Sequence, residues 1–214
     1  MPEFTVGTYL ATRLEQIGLK HYFVVPGDFN LVLLDRLLEN KSMEQIGCTN
    51  ELNASYAAEA YARINGCGAI VTTMNVGAFS ALNGVAGAYA ARLPVIFVSS
   101  GYNTNDETAN HLLHHSIGTH DFSYQHDIFR YVTCAAVRVL HPDNAPSMID
   151  HAISTALREP SRPTSRSPAT CRMRPAPNRG RLRPSSPPRR ATPTRWTRLS
   201  TAQLPGSLAR RSRS

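Results

Sequence analysis

Residues 21–30 read HYFVVPGDFN, and residues 43–53 read MEQIGCTNELN. In both, a short apolar run breaks at a turn and is followed by residues that carry chemistry. His21–Val25 ends at Pro26-Gly27, which reads as a strand and then a turn. Met43–Cys48 ends at Thr49-Asn50-Glu51. Working outward, Ala69–Thr73, Val95–Ser99 and Tyr131–Ala135 are three further runs of the same kind. Helical patterns separate them. Val6–Leu19 has apolar residues at 6, 10, 14, 17 and 19, and Leu31–Leu38 repeats leucine on one face. Glu51–Ile64 is rich in alanine, which favours helix. Gly77–Ala91 is rich in alanine and glycine and can pack very close to its neighbours, and Ala145–Leu157 follows a His-Pro-Asp-Asn start suited to a helix N-terminus.

Strands alternating with helices of this length predict βαβ units and a parallel sheet. The runs are nearly continuous and β-branched, as expected of strands covered on both faces. In such sheets function gathers beyond the carboxyl ends of the strands. Those places hold PGDFN (26–30), TNE (49–51), MNVG (74–77) and SGYN (100–103).

Glu51 opens an Ala-rich helix that Asn50 can cap, so it reads either as a first-turn charge favoured by the helix dipole or as a functional carboxylate. Asp28 after Pro-Gly reads either as a turn residue or as a second functional carboxylate. Five of the eight histidines lie between His111 and His126, with His114 and His115 adjacent. If helical, residues 111, 114 and 115 share a face. No carboxylate stands at ligand spacing, so no metal site is assigned. GxSxG, Walker A and GxGxxG motifs do not occur.

The 214-residue chain carries a formal charge of +8, and a pI near 9.7 invites a nucleic-acid reading. The charge is divided unevenly. Residues 1–159 hold nine basic and fifteen acidic residues, a net of −6. Residues 160–214 hold fourteen Arg and no Lys, Asp or Glu. No apolar run approaches a membrane span, and the N-terminus lacks the basic and apolar regions of a signal peptide. The four cysteines form no CxxC pair, so a reduced, cytoplasmic setting is expected.

PGDFN (26–30), Asn50-Glu51-Leu52-Asn53 with AEAYAR (58–63), Val76-Gly77, Leu93-Pro94-Val95 and His114-His115 occur together in this order. On these motifs residues 1–159 resemble the N-terminal, pyrimidine-binding domain of thiamine-diphosphate-dependent pyruvate decarboxylases, of the bacterial kind. Singly each motif is weak; the combination is specific. The resemblance implies a flavodoxin-like α/β domain with a parallel sheet of five or six strands and helices on both faces. It implies non-oxidative decarboxylation of a 2-oxo acid, pyruvate to acetaldehyde and carbon dioxide. Glu51 matches the glutamate that hydrogen-bonds the cofactor's aminopyrimidine ring nitrogen. Asp28, His114 and His115 match the acid–base set, and Thr73, Val76 and Gly77 match positions lining the pyrimidine pocket. The resemblance further implies a homo-oligomer, a dimer of dimers. It places the Mg²⁺ and diphosphate ligands in a separate C-terminal domain, so the chain alone is expected to be inactive. Met74-Asn75 departs from the family, which more often has an aromatic or small polar pair there.

The tail from residue 160 has ten Pro, fourteen Arg and nine Ser, and no Phe, Tyr or Ile. Its composition is of the disordered class. One reading is a genuine Arg-rich segment, in which case the protein is a non-enzymatic nucleic-acid binder acting through its tail. Trp196 alone offers a base a stacking surface there. The other reading is a frameshift. SRPTSRSPAT (161–170) can be encoded AGC CGG CCT ACA TCG AGA TCG CCT GCA ACA. With one base supplied in front, the same letters read KPAYIEIACN, an alternating, β-branched strand. On this reading the tail is out of frame and binds nucleic acid only nonspecifically, through its charge.

Overall fold

The computed structural model describes residues 5–117 and 121–158. The expected disordered tail, 160–214, lies outside them. Element order is α1 (Val6–Gln16), β1 (His21–Val24), α2 (Leu31–Leu38), β2 (Glu44–Gly47), α3 (Glu51–Asn65), β3 (Gly68–Thr72), α4 (Val76–Ala90), β4 (Val95–Ser99), α5 (Thr104–Thr108), α6 (Tyr124–Phe129) and α7 (Ala145–Arg158), with a 3₁₀ turn at Pro142–Asn144.

The four strands form one parallel sheet in the order β2-β1-β3-β4. The register sets Phe23 beside Ile70 and Thr72 beside Ser99. Every residue of β3 is buried, because helices cover both faces. One face packs Leu10 and Leu14 of α1, Leu34 and Leu37 of α2, and Ile149 and Ile153 of α7 over Tyr22, Val24, Val71 and Ile96. The other packs Ala54 and Ala58 of α3 and Ala81 of α4 over Phe23 and Ile70.

Local chemistry sets the helix ends. Thr5 and Thr8 form a reciprocal capping box at the start of α1. The Asn50 side chain accepts the Asn53 N–H at 2.8 Å and caps α3, and Gly66, at φ 85°, ends it in the left-handed region. Between α3 and α4 the backbones approach so closely that a Cβ on Gly84 would lie 2.0 Å from Ser55 Oγ.

The sheet has four strands rather than five or six. Tyr131–Ala135, expected as the fifth, forms turns and bends, and 135–140 runs unpaired. Apolar, β-branched sequence makes a strand only where a neighbour supplies hydrogen bonds. The sheet ends at β4, and nothing among the described residues pairs with its outer edge.

Strand β1 has β2 on one side and β3 on the other, so the chain changes direction across the sheet there. Open α/β sheets place their ligand sites outside the carboxyl ends of the strands at such a switch point. The turn after β1 is Val25–Asn30, and the turn after β3 is Thr73–Asn75.

Candidate active site

The turn after β1 is clasped by its own asparagine. Asn30 is fully buried. Its Oδ1 accepts the Gly27 N–H at 2.8 Å, and its Nδ2 donates to the Val25 carbonyl at 3.1 Å. This closes the Pro26–Phe29 loop and turns Asp28 outward. Asn30 belongs to the PGDFN motif, and the habit of Asn to close turns on local backbone is the signal in the sequence for this role.

Thr73 sits between two glycines. A Cβ on Gly27 would lie 2.8 Å from Thr73 Cβ, and one on Gly77 would lie 2.7 Å from Thr73 Cγ2 and 2.9 Å from Glu51 Oε1. The first turns of α3 and α4 thus bring the Glu51 carboxylate over Gly77, with Thr73 beneath. Glycine is required at both positions because the space is taken. Among the described residues no hydrogen bond or ion pair engages the Glu51 carboxylate, and Thr73 Oγ1 is buried without a partner. Val76, the residue before Gly77 at the start of α4, is exposed.

Asp28, His114 and His115 form a second group. His114 Nε2 lies 3.6 Å from Asp28 Oδ2. The two imidazoles meet edge to face at 4.7 Å, and Phe29 packs on His114 at 4.7 Å. Residues 111–117 are turn and irregular chain, so 111, 114 and 115 share no helix face. Among the described residues no cluster of three His, Cys, Asp or Glu could hold a metal ion.

Asn75 joins the groups. It is buried at φ 50°, ψ −95°, an uncommon conformation for a non-glycine residue. Its Nδ2 donates to the His115 carbonyl at 2.7 Å and to the Tyr102 hydroxyl. Its N–H donates to Gln125 Oε1, whose amide in turn donates to Ser99 Oγ at 3.0 Å. Tyr124 adds a longer bond to the same His115 carbonyl, 3.3 Å. Burial, assisted by a hydrogen bond with Tyr102, pushes the Tyr124 phenol up to about 12, so it remains a neutral donor at neutral pH. Tyr102 and Gln125 were not foreseen as site residues, because their reach to residue 75 crosses 27 and 50 positions.

The cradle suits an aminopyrimidine. Such a ring carries an amino donor and basic ring nitrogens. The site offers an unengaged carboxylate at Glu51 and unpartnered buried oxygens at Thr73 Oγ1 and Asn75 Oδ1. The class defined by this fold and site is therefore an α/β domain whose switch point holds an unengaged carboxylate packed against a glycine.

The chain belongs to the thiamine pyrophosphate enzymes: residues 4–127 match the family described as "Thiamine pyrophosphate enzyme, N-terminal TPP binding domain". It is 57% identical over 153 residues to a probable pyruvate decarboxylase of Schizosaccharomyces pombe, covering 72% of this chain and 27% of that protein. It is 48% identical over 180 residues to a pyruvate decarboxylase of Neurospora crassa, covering 82% and 31%. It is 53% identical over 155 residues to pyruvate decarboxylase 2 of Nicotiana tabacum, covering 72% and 25%. The chain therefore spans about a quarter to a third of the length of these relatives. They are fungal and plant proteins, which corrects the bacterial expectation. The motifs that carried the resemblance are shared across lineages and do not distinguish them.

Proposed function

We propose that this chain supplies the pyrimidine-binding half of a thiamine-diphosphate-dependent decarboxylase acting on a 2-oxo acid, with pyruvate converted to acetaldehyde and carbon dioxide. The observation that carries the reading is the unengaged Glu51 carboxylate held 2.9 Å from where a Gly77 Cβ would sit, at the switch point of the sheet. When bound, the cofactor supplies the electron sink that loss of carbon dioxide requires.

The residues' own tasks follow from their places. Glu51 presents its carboxyl group to a ring nitrogen and shares a proton with it. Gly77 and Thr73 set the depth of the ring. Asp28 and His114, exposed and within 3.6 Å of each other, exchange protons with substrate and water, and His115 stands beside them. Asn75 holds the backbone of His115 in place. The Mg²⁺ and diphosphate ligands belong to a domain outside this chain's residues, and the working assembly is a homo-oligomer, a dimer of dimers, in the cytoplasm. Among the described residues no helix is long and apolar enough to cross a membrane.

The domain division follows the same reading: 1–159 is the cofactor-binding domain, and 160–214 is an out-of-frame tail. The nucleotide sequence across codons 155–175, set against an intact relative, tests the tail. A one-base insertion or deletion near codon 160 is expected; an uninterrupted frame overturns it. Selective binding of one DNA or RNA sequence would instead support the rival nucleic-acid reading.

The test of function is complementation. The chain alone should show no acetaldehyde production. Mixed with a fragment of a relative that carries its remaining domains, it should produce acetaldehyde, and Glu51→Gln should abolish that production. Turnover by the isolated chain, or complementation unaffected by Glu51→Gln, overturns the proposal.

A further inference from the structure

Four non-glycine residues among those described have positive φ: Asn75, Arg92, Asn110 and His115. Two of them lie 40 positions apart and are bonded to each other, Asn75 Nδ2 donating to the His115 carbonyl at 2.7 Å. Asn75, at φ 50° and ψ −95°, lies nearest the rare and strained positive-φ γ-turn. His115 stands at φ 68°. Such residues persist only where their surroundings over-determine them, and they gather at functional sites.

The conformation of His115 decides where its ring goes. Adjacent side chains of an extended segment point to opposite faces, yet the His114 and His115 rings meet at 4.7 Å. Rotation about the N–Cα bond of His115 sets where its Cβ lies relative to residue 114. Relaxing to a negative φ would swing the imidazole away from its neighbour. Among the described residues, hydrogen bonds reach His115 only at its carbonyl, from Asn75 and Tyr124. The domain therefore grips the backbone of His115 and leaves the ring free for chemistry.

Asn75 is gripped in turn. It is the N-cap residue of α4, a place where Asn ordinarily bonds its own helix, but its side chain makes no capping bond. That side chain is directed to residues 102 and 115. Its N–H donates to Gln125 Oε1 at 2.5 Å. The other end of Gln125, Nε2, donates at 3.0 Å to the Oγ of Ser99, the last residue of β4.

Packing brings Gln125 to this place. One helical turn further on, Phe129 is buried in a cluster with Ala78 and Val85 of α4, and it stacks on Phe97 of β4 at 4.6 Å. Residues four apart share a helix face, so the burial of Phe129 aims Gln125 between the start of α4 and the end of β4. A series of bonds, Ser99–Gln125–Asn75–His115, thus runs from the sheet to the imidazole pair.

We propose that Gln125 is a positioning residue for proton transfer: it fixes Asn75 against the sheet and, through Asn75, holds His115 in its left-handed conformation with its imidazole against His114. Its weight in turnover rests on the acid–base role proposed for the histidines. The tether itself does not, so the two fail separately.

The full chain is compared with Gln125→Met, of similar length but with no strong donor or acceptor, and with Gln125→Glu, which keeps an acceptor for the Asn75 N–H. Nuclear magnetic resonance gives two readouts. The one-bond Cα–Hα coupling of His115 separates positive from negative φ, and the Overhauser effect reports the contact between the two imidazoles. In Gln125→Met the coupling should move toward its negative-φ value as strain relaxes, and the contact should weaken about twofold or more. Amide protection in α3 and β3 should stay unchanged. Gln125→Glu should restore both signals toward those of the unaltered chain. Assembled with the remaining domains of a relative, Gln125→Met should lower kcat about tenfold while cofactor affinity holds. A folded Gln125→Met chain with coupling and ring contact intact overturns the proposal. So does a change at His115 matched by equal loss of protection in β3, which is general loosening. If Gln125→Met does not fold, Ser99→Ala decides by the same two readouts, since it cuts the far end of the series and leaves Asn75 and His115 unaltered. Absence of acetaldehyde from the assembled, unaltered chain counts against the decarboxylase reading and leaves the resonance result standing.

Discussion

Between α3, β3 and α4 there is no room for a methyl group at Gly68 or Gly84, whereas the segment from Ser100 to Ile117 is held to the domain chiefly through polar side chains. Gly68 faces the Ala58 carbonyl so closely that a Cβ would lie 2.3 Å from the oxygen, and Gly84 faces Ser55 at 2.0 Å. The His114–His115 turn instead is held by two bonds to one carbonyl, from Asn75 and Tyr124, and by Phe29 and Asp28 against His114. The packed region carries Glu51, the carboxylate proposed to meet the cofactor, and the tethered one carries His114 and His115. A carboxylate that meets the same ring atom in every turnover gains from rigid placement. Groups that handle substrate and product gain from a segment able to open.

The most damaging way to break this comparison is to overfill the packed region. Gly84→Val places a branched side chain against Ser55, which is buried and bonded to the Leu52 carbonyl at 2.8 Å. Overpacking of this kind costs about 1–3 kcal/mol, and more where backbone must move. The upper end is expected here, read as a lower urea midpoint. Adding Ser55→Gly to the same chain should recover part of the loss. A Gly84→Val protein with unchanged midpoint would show that α3 and α4 are free to separate.

A smaller effect is expected in the tethered region. Asn75→Gly keeps a residue at ease at φ 50° while deleting the bonds to Tyr102 and to the His115 carbonyl. Each such bond is worth about 1 kcal/mol net, and relief of backbone strain offsets part of that. Global stability should fall by about 1 kcal/mol or less. Amide exchange should quicken across 100–117 and stay unchanged in α3 and β3. Equal acceleration in both regions would erase the distinction. In a complemented enzyme the same variant should lower turnover while leaving cofactor affinity alone, a split that general loss of folding would not produce.

What was legible in the sequence divides along the same line. Helix α2 has the bounds its leucine repeat predicts, Leu31–Leu38, and β3 and α4 fall within one residue of their patterns, because local periodicity is also what buries them. Glu51 was readable from its place behind an N-cap. Its closeness to Gly77 was not, since two helix starts must first be folded together. α5 and α6 are short and polar and carried no period to detect. Asn75 registered only as a departure from a family pattern, and its bonds to residues 102, 115 and 125 leave no trace in any local window. Tyr131–Ala135 shows the opposite failure: the pattern is a strand's, but among the described residues no strand pairs with it.

The comparison can be sharpened with two tyrosines. Tyr22 in β1 is fully buried among Leu14, Leu37 and Val71, and burial pushes its phenol up to about 12. Tyr124 in α6 reaches the same value, again chiefly through burial, with Tyr102 as a neighbour, but it is one of the residues that tether the 100–117 segment, through the His115 carbonyl. Both folded values lie above the ordinary 10. The native state therefore holds protons that the unfolded chain has released, and stability falls as pH rises. The contribution is complete below pH about 10, the unfolded value, and is lost as pH climbs through the folded value near 12. The tyrosine contribution should not change between pH 7 and 9. Above that, Tyr124 should ionise by local opening of its segment, seen as tyrosinate absorbance while far-ultraviolet dichroism holds. Tyr22 should ionise only as the sheet unfolds. Tyr22→Phe should shift the alkaline unfolding midpoint upward, and Tyr124→Phe should remove the early absorbance step without moving that midpoint. If both steps coincide with loss of dichroism in the unaltered chain, the tethered segment opens only with the whole domain, and the two regions are a single cooperative unit.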